Sequence, residues 1–276
     1  MSVSFKAACI QMQSTRDPST NRDTVVKLAS EAANLGADYI QTPEMTNILD
    51  RNRDTFRARV TTEDNDIVLA ALCDLARQRQ VTIHIGSLAI VDGEQYANRA
   101  YVINSKGDIC ARYTKIHLFD VDLPNGERWH ESATYKGGAQ AVVTELPFGL
   151  LGLSICYDLR FPNLYRQLSQ AGAICLTAPS SFTKQTGEAH WHILQRARAI
   201  ENGAFMISAA QAGLHEDGRQ TYGHSIIIDP WGRILAEADT ILGIIMAEIH
   251  TSAVADARQR IPSLSHDRPY AILNMS

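Results

Sequence analysis

Hydrophobic positions along the 276-residue chain switch between two periods. Residues 5–12 (FKAACIQM) are a short, mostly apolar run that predicts a strand. Residues 21–35 repeat apolar positions at Val25, Leu28, Ala29 and Ala32, the spacing of one helix face. Gly36 follows as a helix stop. The rhythm continues with a strand over 37–42, a helix over 65–79 and an extended run over 81–90. Segments 100–104 and 109–114 flank Ser105-Lys106-Gly107-Asp108 and predict a hairpin. Segments 141–146 and 151–156, about a Pro-Phe-Gly turn, predict a second hairpin. Segments 222–229 and 233–238, about Asp229-Pro230-Trp231-Gly232, predict a third. Strands over 173–178, 204–210 and 241–249 and helices over 163–171, 188–202 and 252–259 complete the pattern. On the 188–202 helix, Trp191, Leu194, Ala197 and Ile200 read as a core face. Residues 117–138 show neither period, and a loop of that length in a compact domain is usually functional.

Strands that come both singly between helices and as hairpins predict mixed sheets. About a dozen strands with four or five helices fit two sheets sandwiched between helix layers, an α/β four-layer α-β-β-α arrangement. No repeat, low-complexity tract or linker interrupts the chain, so residues 1–276 read as one domain. The tail, 262–276, is expected to pack on the rest of the chain or at a partner or interface.

Composition narrows the function. The chain is 45% hydrophobic and 20% charged, with a formal net charge of −4, which is no electrostatic footprint for nucleic acid or an anionic membrane. The longest apolar stretches, such as 241–247, fall far short of a bilayer span. The opening MSVSFKAACIQMQ has no apolar core of signal-peptide length. Five cysteines with no CxxC spacing do not form a disulfide or zinc framework. A reduced, cytoplasmic protein acting on a small molecule is the expectation.

Three polar residues stand at the ends of apolar runs. Cys156 closes LGLSIC and is followed by YDLRFP, where Pro162 suits a helix start. A free cysteine is most often a small core residue, as Cys9, Cys73 and Cys175 read here, but a nucleophile on a strand-to-helix turn is exposed at the sheet edge. Glu44 follows Pro43 at the end of 37–42, and Lys115 follows 109–114. Singly these read as a solvated edge glutamate and a snorkelling lysine. Together, the three suit one sheet edge, where α/β proteins place their sites. A thiol nucleophile needs a base, and by spacing His117, His130, His190, His192 and His224 all stay open. His84 lies in a strand, and His215, His250 and His266 have polar, surface-like contexts.

The blocks PEM at 43–45, KIHLFDVDLPNG at 115–126, ES at 131–132, GLSICYDLRFPNLYR, PSSFTKQTGEAHWHILQRARAIENGAF at 179–205 and YGHSIIIDPWGRIL at 222–235 run in order along nearly the whole chain. In this the chain resembles the nitrilase (carbon–nitrogen hydrolase) superfamily, and its amidase branch more than true nitrilases. Gln41-Thr42 departs from the apolar residues that members usually carry before PE.

The resemblance implies a nitrilase-like sandwich and a catalytic triad of Glu44, Lys115 and Cys156. It also implies a supporting Glu131 beside the lysine, an oxyanion contact from the Tyr157 N–H, and pocket residues Phe182 and Thr183. Arg160 is a further pocket candidate, suited to a substrate carboxylate. No metal or organic cofactor is implied. The partner is a small-molecule amide with an anionic end, converted to a carboxylic acid and ammonia through a thioester. The loop FDVDLPNGERWHESATYKGG favours deaminated glutathione; the alternative is α-ketoglutaramate or α-ketosuccinamate. An N-carbamoyl amino acid is a more distant choice, and a non-catalytic relative would be expected to lack a triad residue. Members tend to dimerise through helices after the cysteine, so a homodimer or higher even oligomer is expected.

Overall fold

The computed structural model describes residues 3–124 and 126–274. Its strands are β1 (Ser4–Gln11), β2 (Tyr39–Gln41), β3 (Thr82–Asp92), β4 (Gln95–Ile103), β5 (Ile109–Thr114), β6 (Asp120–Asp122), β7 (Arg128–His130) and β8 (Val143–Leu146) in the first half. The rest are β9 (Gly149–Gly152), β10 (Cys175–Thr177), β11 (Phe205–Ser208), β12 (Ala212–Leu214), β13 (Gln220–Tyr222), β14 (Ile226–Ile228), β15 (Ile234–Glu237) and β16 (Gly243–His250). The helices are α1 (Pro18–Asn34), α2 (Arg53–Arg59), α3 (Ile67–Arg79), α4 (Pro162–Gln170), α5 (Lys184–Asn202) and α6 (Ser252–Arg260).

Two mixed six-stranded sheets result, in the orders β16-β1-β2-β3-β4-β5 and β15-β14-β11-β10-β9-β8. The period-2 pattern of β1 shows how they stack. Phe5, Ala7 and Cys9 point into a core shared with the second sheet, whereas Ala8, Ile10 and Met12 point into a core under α1 and α3. Leu164, Tyr165 and Leu168 of α4 and Trp191 and Ala199 of α5 cover the far face of the second sheet. The layers therefore run α-β-β-α, as expected.

Gln41 explains itself in this frame. It is buried, its Nε2 donates to Tyr39 Oη at 3.2 Å, and its Oε1 accepts from the Ala209 N–H of the other sheet at 2.7 Å. A polar residue before Pro43 thus ties the two sheets together.

Several local expectations differ from the structure. The second hairpin's outgoing strand ends at Gly152, not Cys156, and β2 ends at Gln41, three residues before Glu44. Past those points the backbone bonds elsewhere: Cys156 N–H donates to Pro179 O at 3.0 Å and Thr46 N–H to Ser87 O at 2.9 Å. Residues 117–138 are not without regular structure; they hold the β6–β7 ribbon and a 3-10 turn, Glu131–Ala133. Ile200 is 50% exposed, because α5 turns Trp191, Gln195, Arg198 and Ala199 inward instead. His215 is buried, bridging Ser14 O and Thr221 Oγ1.

Candidate active site

Three chain turns converge where the two sheets meet. Lys115 directly follows β5, and its backbone N–H donates to Asn98 O of β4 at 2.9 Å. Glu44 follows the β2 end. Met45, next to it, adopts φ +58°, held by its N–H to Ser87 Oγ at 3.0 Å. Gly86 permits this packing, since a Cβ there would collide with the Thr42 carbonyl and with Pro179. Cys156 opens a 3-10 turn, Cys156–Arg160, and itself sits at φ +49°. A left-handed, non-glycine residue is strained, and such strain concentrates at functional turns.

The polar residues after Cys156 secure that turn. Asp158 is fully buried and accepts from Ile155 N–H (2.9 Å), Tyr113 Oη (2.6 Å), His117 N–H (3.0 Å) and His117 Nδ1 (2.7 Å). It thereby joins the cysteine turn to the residues on either side of Lys115. His117 also stacks on Phe161, ring centroids 3.5 Å apart. From below, Arg198 Nε donates to Leu159 O at 3.0 Å.

The side chains meet in one buried cluster. Lys115 Nζ donates to Glu44 Oε1 at 2.8 Å and to Glu131 Oε2 at 2.8 Å. Asn98 Nδ2 bridges the same two carboxylates, at 2.9 Å to Glu44 Oε1 and 3.0 Å to Glu131 Oε1. The Ser181 N–H donates to Glu44 Oε2 at 2.8 Å, and the Phe119 N–H to Glu131 Oε2 at 2.7 Å. The Cys156 thiol lies close enough to Glu44 for the two to interact.

Charge states follow from this packing. Burial pushes the Glu44 carboxyl up, but the Lys115 ammonium and the hydrogen bonds from Lys115, Asn98 and Cys156 together outweigh it and hold the group below its usual 4.5. Burial disfavours the Lys115 cation, but Glu131 and Glu44 together drive its pKa well above normal. For Cys156, burial and the Glu44 charge both favour the neutral thiol. At rest Glu44 is thus a carboxylate, Lys115 an ammonium and Cys156 a protonated thiol.

A cavity of about 370 Å³ opens onto the cluster. Glu44, Lys115, Glu131, Cys156, Tyr157, Arg160, Phe182 and Thr183 all line it, so these eight residues come together. The Thr183 hydroxyl also caps α5, bonding Thr186. Six cationic side chains line the cavity against three carboxylates, although the chain as a whole is acidic. Of the histidines left open, His130 lines the cavity, His117 is held by Asp158, His190 accepts from Arg160 at 3.3 Å, and His192 and His224 bond Glu237. The ionisable side chain that interacts with the Cys156 thiol is the Glu44 carboxylate rather than any histidine.

Sequence reasoning missed Asn98, Asp158 and Arg219. Asn98 sits mid-strand in YANRAY with no punctuation around it; its one signal is a polar residue between apolar positions of a buried strand.

The family model described as carbon–nitrogen hydrolase matches residues 6–259. A protein of Synechocystis sp. named deaminated glutathione amidase is 41% identical over 267 residues, 95% of this chain and 97% of that one. The crystal structure of the Caenorhabditis elegans NitFhit protein superposes with a TM-score of 0.89 at 35% identity, covering 96% of this chain and 65% of that longer one. An amidase of the nitrilase superfamily from Nesterenkonia sp. AN1, carrying an acrylamide adduct at its active-site cysteine, superposes with a TM-score of 0.78 at 26% identity, over 94% of this chain and 98% of that one.

Proposed function

The chain belongs to the carbon–nitrogen hydrolase family and hydrolyses amides; from that premise we propose that Cys156 is its nucleophile and deaminated glutathione its substrate. The observation that carries this reading is the Lys115 ammonium held between Glu44 and Glu131 in the cavity that Cys156 lines.

Glu44 takes the thiol proton as Cys156 Sγ attacks the amide carbonyl carbon. Because the resting thiol is neutral, the thiolate forms only as the C–S bond does. The carbonyl oxygen becomes an oxyanion, stabilised by the Lys115 ammonium and by the Tyr157 N–H, which stands in the first turn of a 3-10 segment where no intrahelical acceptor exists. The protonated Glu44 passes its proton to the departing nitrogen, and the C–N bond breaks to leave a thioester. Glu44 then deprotonates a water, which attacks the thioester; the acid leaves and the sulfur is reprotonated. Glu131 and Asn98 keep Lys115 and Glu44 in register. The leaving group is the dipeptide amine for deaminated glutathione, and ammonia for a primary amide such as α-ketoglutaramate.

Arg160, whose guanidinium lies over Tyr157 and Phe182, is suited to the keto-acid carboxylate. The Synechocystis relative's name supports deaminated glutathione over α-ketoglutaramate. The same reading includes one domain over 1–276 and a cytoplasmic setting, supported by five free cysteines. No described helix is long and apolar enough to cross a membrane. A homodimer or higher even oligomer belongs to it too. Ile193 and Ile200 are exposed two turns apart on α5, with the exposed Trp231 beside the Gly232 backbone that Ile200 touches. The tail, tied by Arg166 to Ser263 and Asp267, carries exposed Tyr270, Ile272 and Leu273 for such a partner.

Amine release from deaminated glutathione by wild type, Cys156→Ala and Glu44→Gln tests the mechanism. Both variants are expected to lose at least about 10³-fold in kcat. Turnover undiminished in Cys156→Ala would remove the thioester. A kcat/KM more than about tenfold higher for α-ketoglutaramate would reassign the substrate.

A further inference from the structure

Arg219 is a cavity cation buried beside a single, shared carboxylate. Its side chain is 16% exposed, its Nε has no partner, and its nearest carboxylate, Asp217 Oδ2, lies 3.4 Å from Nη2. Asp217 is itself fully buried at the side chain and is shared with Arg51, whose Nε stands 4.0 Å away. Both guanidiniums rest on Trp129, Arg51 at 3.9 Å and Arg219 at 4.5 Å from the ring centroid. One carboxylate therefore faces two fixed cations, leaving a positive charge and open N–H donors in a partly desolvated wall. Burial also lowers the Arg219 pKa, the mark of a cation short of counter-charge.

This pair stands apart from Arg160. An aromatic row separates them: Tyr157, over which Arg160 lies at 5.9 Å, then Phe119 at 5.1 Å from Tyr157, then Trp129 at 6.1 Å from Phe119. Of the five arginines that line the cavity, Arg160 thus lies over Tyr157 and Arg51 and Arg219 over Trp129, with Phe119 between those rings. Resting on the substrate proposed above, the chemistry of the ligand matches. Deaminated glutathione carries a keto-acid carboxylate on the acyl side of the scissile amide and a glycine carboxylate at the far end of the leaving dipeptide. α-Ketoglutaramate has only the first.

We infer that Arg219 and Arg51, stacked on Trp129, form a second carboxylate subsite that receives the C-terminal carboxylate of the leaving dipeptide. A planar carboxylate pairs with guanidinium donors in two parallel bonds. The subsite makes the dianionic amide a better substrate than a monoanionic one, because only the former satisfies both ends.

The test compares kcat/KM for deaminated glutathione and for the same compound with its glycine carboxylate converted to a carboxamide, in wild type, Arg219→Gln and Arg51→Gln. Wild type is expected to prefer the free acid by about tenfold or more, and the preference to fall to within about threefold in Arg219→Gln. Arg51 is 43% exposed, so Arg51→Gln decides the matter should Arg219→Gln not fold; its preference is expected to fall at least about threefold. A wild-type preference below about twofold, or a preference unchanged in the folded variants, overturns the subsite while leaving the substrate reading intact. Turnover of α-ketoglutaramate alone, with neither long amide hydrolysed, overturns both.

Discussion

Lys115 determines the charge state of the residues around it. With two carboxylates within 2.8 Å it stays an ammonium, and its charge in turn keeps Glu44 ionised below 4.5 and therefore ready as a base. Glu44 loses its proton above a depressed pKa, while Lys115 and Cys156 keep theirs below raised ones. None of the three titrates near neutrality, so kcat/KM is expected to be flat between about pH 6 and 8. A limb inside that window, absent in Glu44→Asp, would contradict the charge states. Asp158 makes a second residue-scale case. Removing its carboxylate strands Ile155 N–H, His117 N–H and the Tyr113 hydroxyl together. Asp158→Ala is therefore expected to cost about 3 kcal/mol, read as a lowered denaturation midpoint, along with a fall in kcat. Glu44, Lys115 and Cys156 were legible because each sits in a block of distinctive residues. Asn98 and Asp158 were not, since the bonds that tie them to the site span 33 or more residues, and no local pattern encodes a bond of that range.

Among the elements, the three strands that feed the site matter most beyond their last ladder bonds. β3 bulges between Ile85 and Leu88, and the bulge carries Gly86 against both Thr42 and Pro179. Gly86→Ala must push apart the turn that carries Glu44 and the segment that accepts the Cys156 N–H. A loss of about 2–3 kcal/mol and a fall in kcat are expected. Unchanged activity in folded Gly86→Ala would show that the turns are set independently. Longer periodic elements such as α1 and β1 were readable because burial repeats along them. The ribbons β6–β7 and β12–β13, with three residues per strand, are shorter than the period needed to see them. They are held by tertiary packing rather than by their own alternation.

For the whole molecule, the inter-sheet seam sets the response to acid. His84 is fully buried against Tyr39 and Gln41, and burial pushes its pKa down to about 3 from 6.5. The folded chain refuses a proton that the unfolded chain accepts below 6.5. This contribution is therefore complete above pH 6.5 and is lost as pH falls toward 3, at about 1.4 kcal/mol per unit. The melting temperature of wild type is expected to drop between pH 7 and 5, and that slope to shrink in His84→Gln. Assembly is the other whole-molecule property: Ile200→Asp on the exposed α5 face should halve the sedimenting mass if the proposed dimer uses it. Finally, the protonated state of Cys156 bears on survival under oxidants. Peroxide and alkylating agents attack thiolates, and this nucleophile has none until an amide occupies the cavity. Brief treatment with dilute hydrogen peroxide, which is no amide, should accordingly oxidise the exposed Cys110 first and leave hydrolysis intact, and a loss of hydrolysis in step with Cys110 oxidation would contradict a protonated resting Cys156.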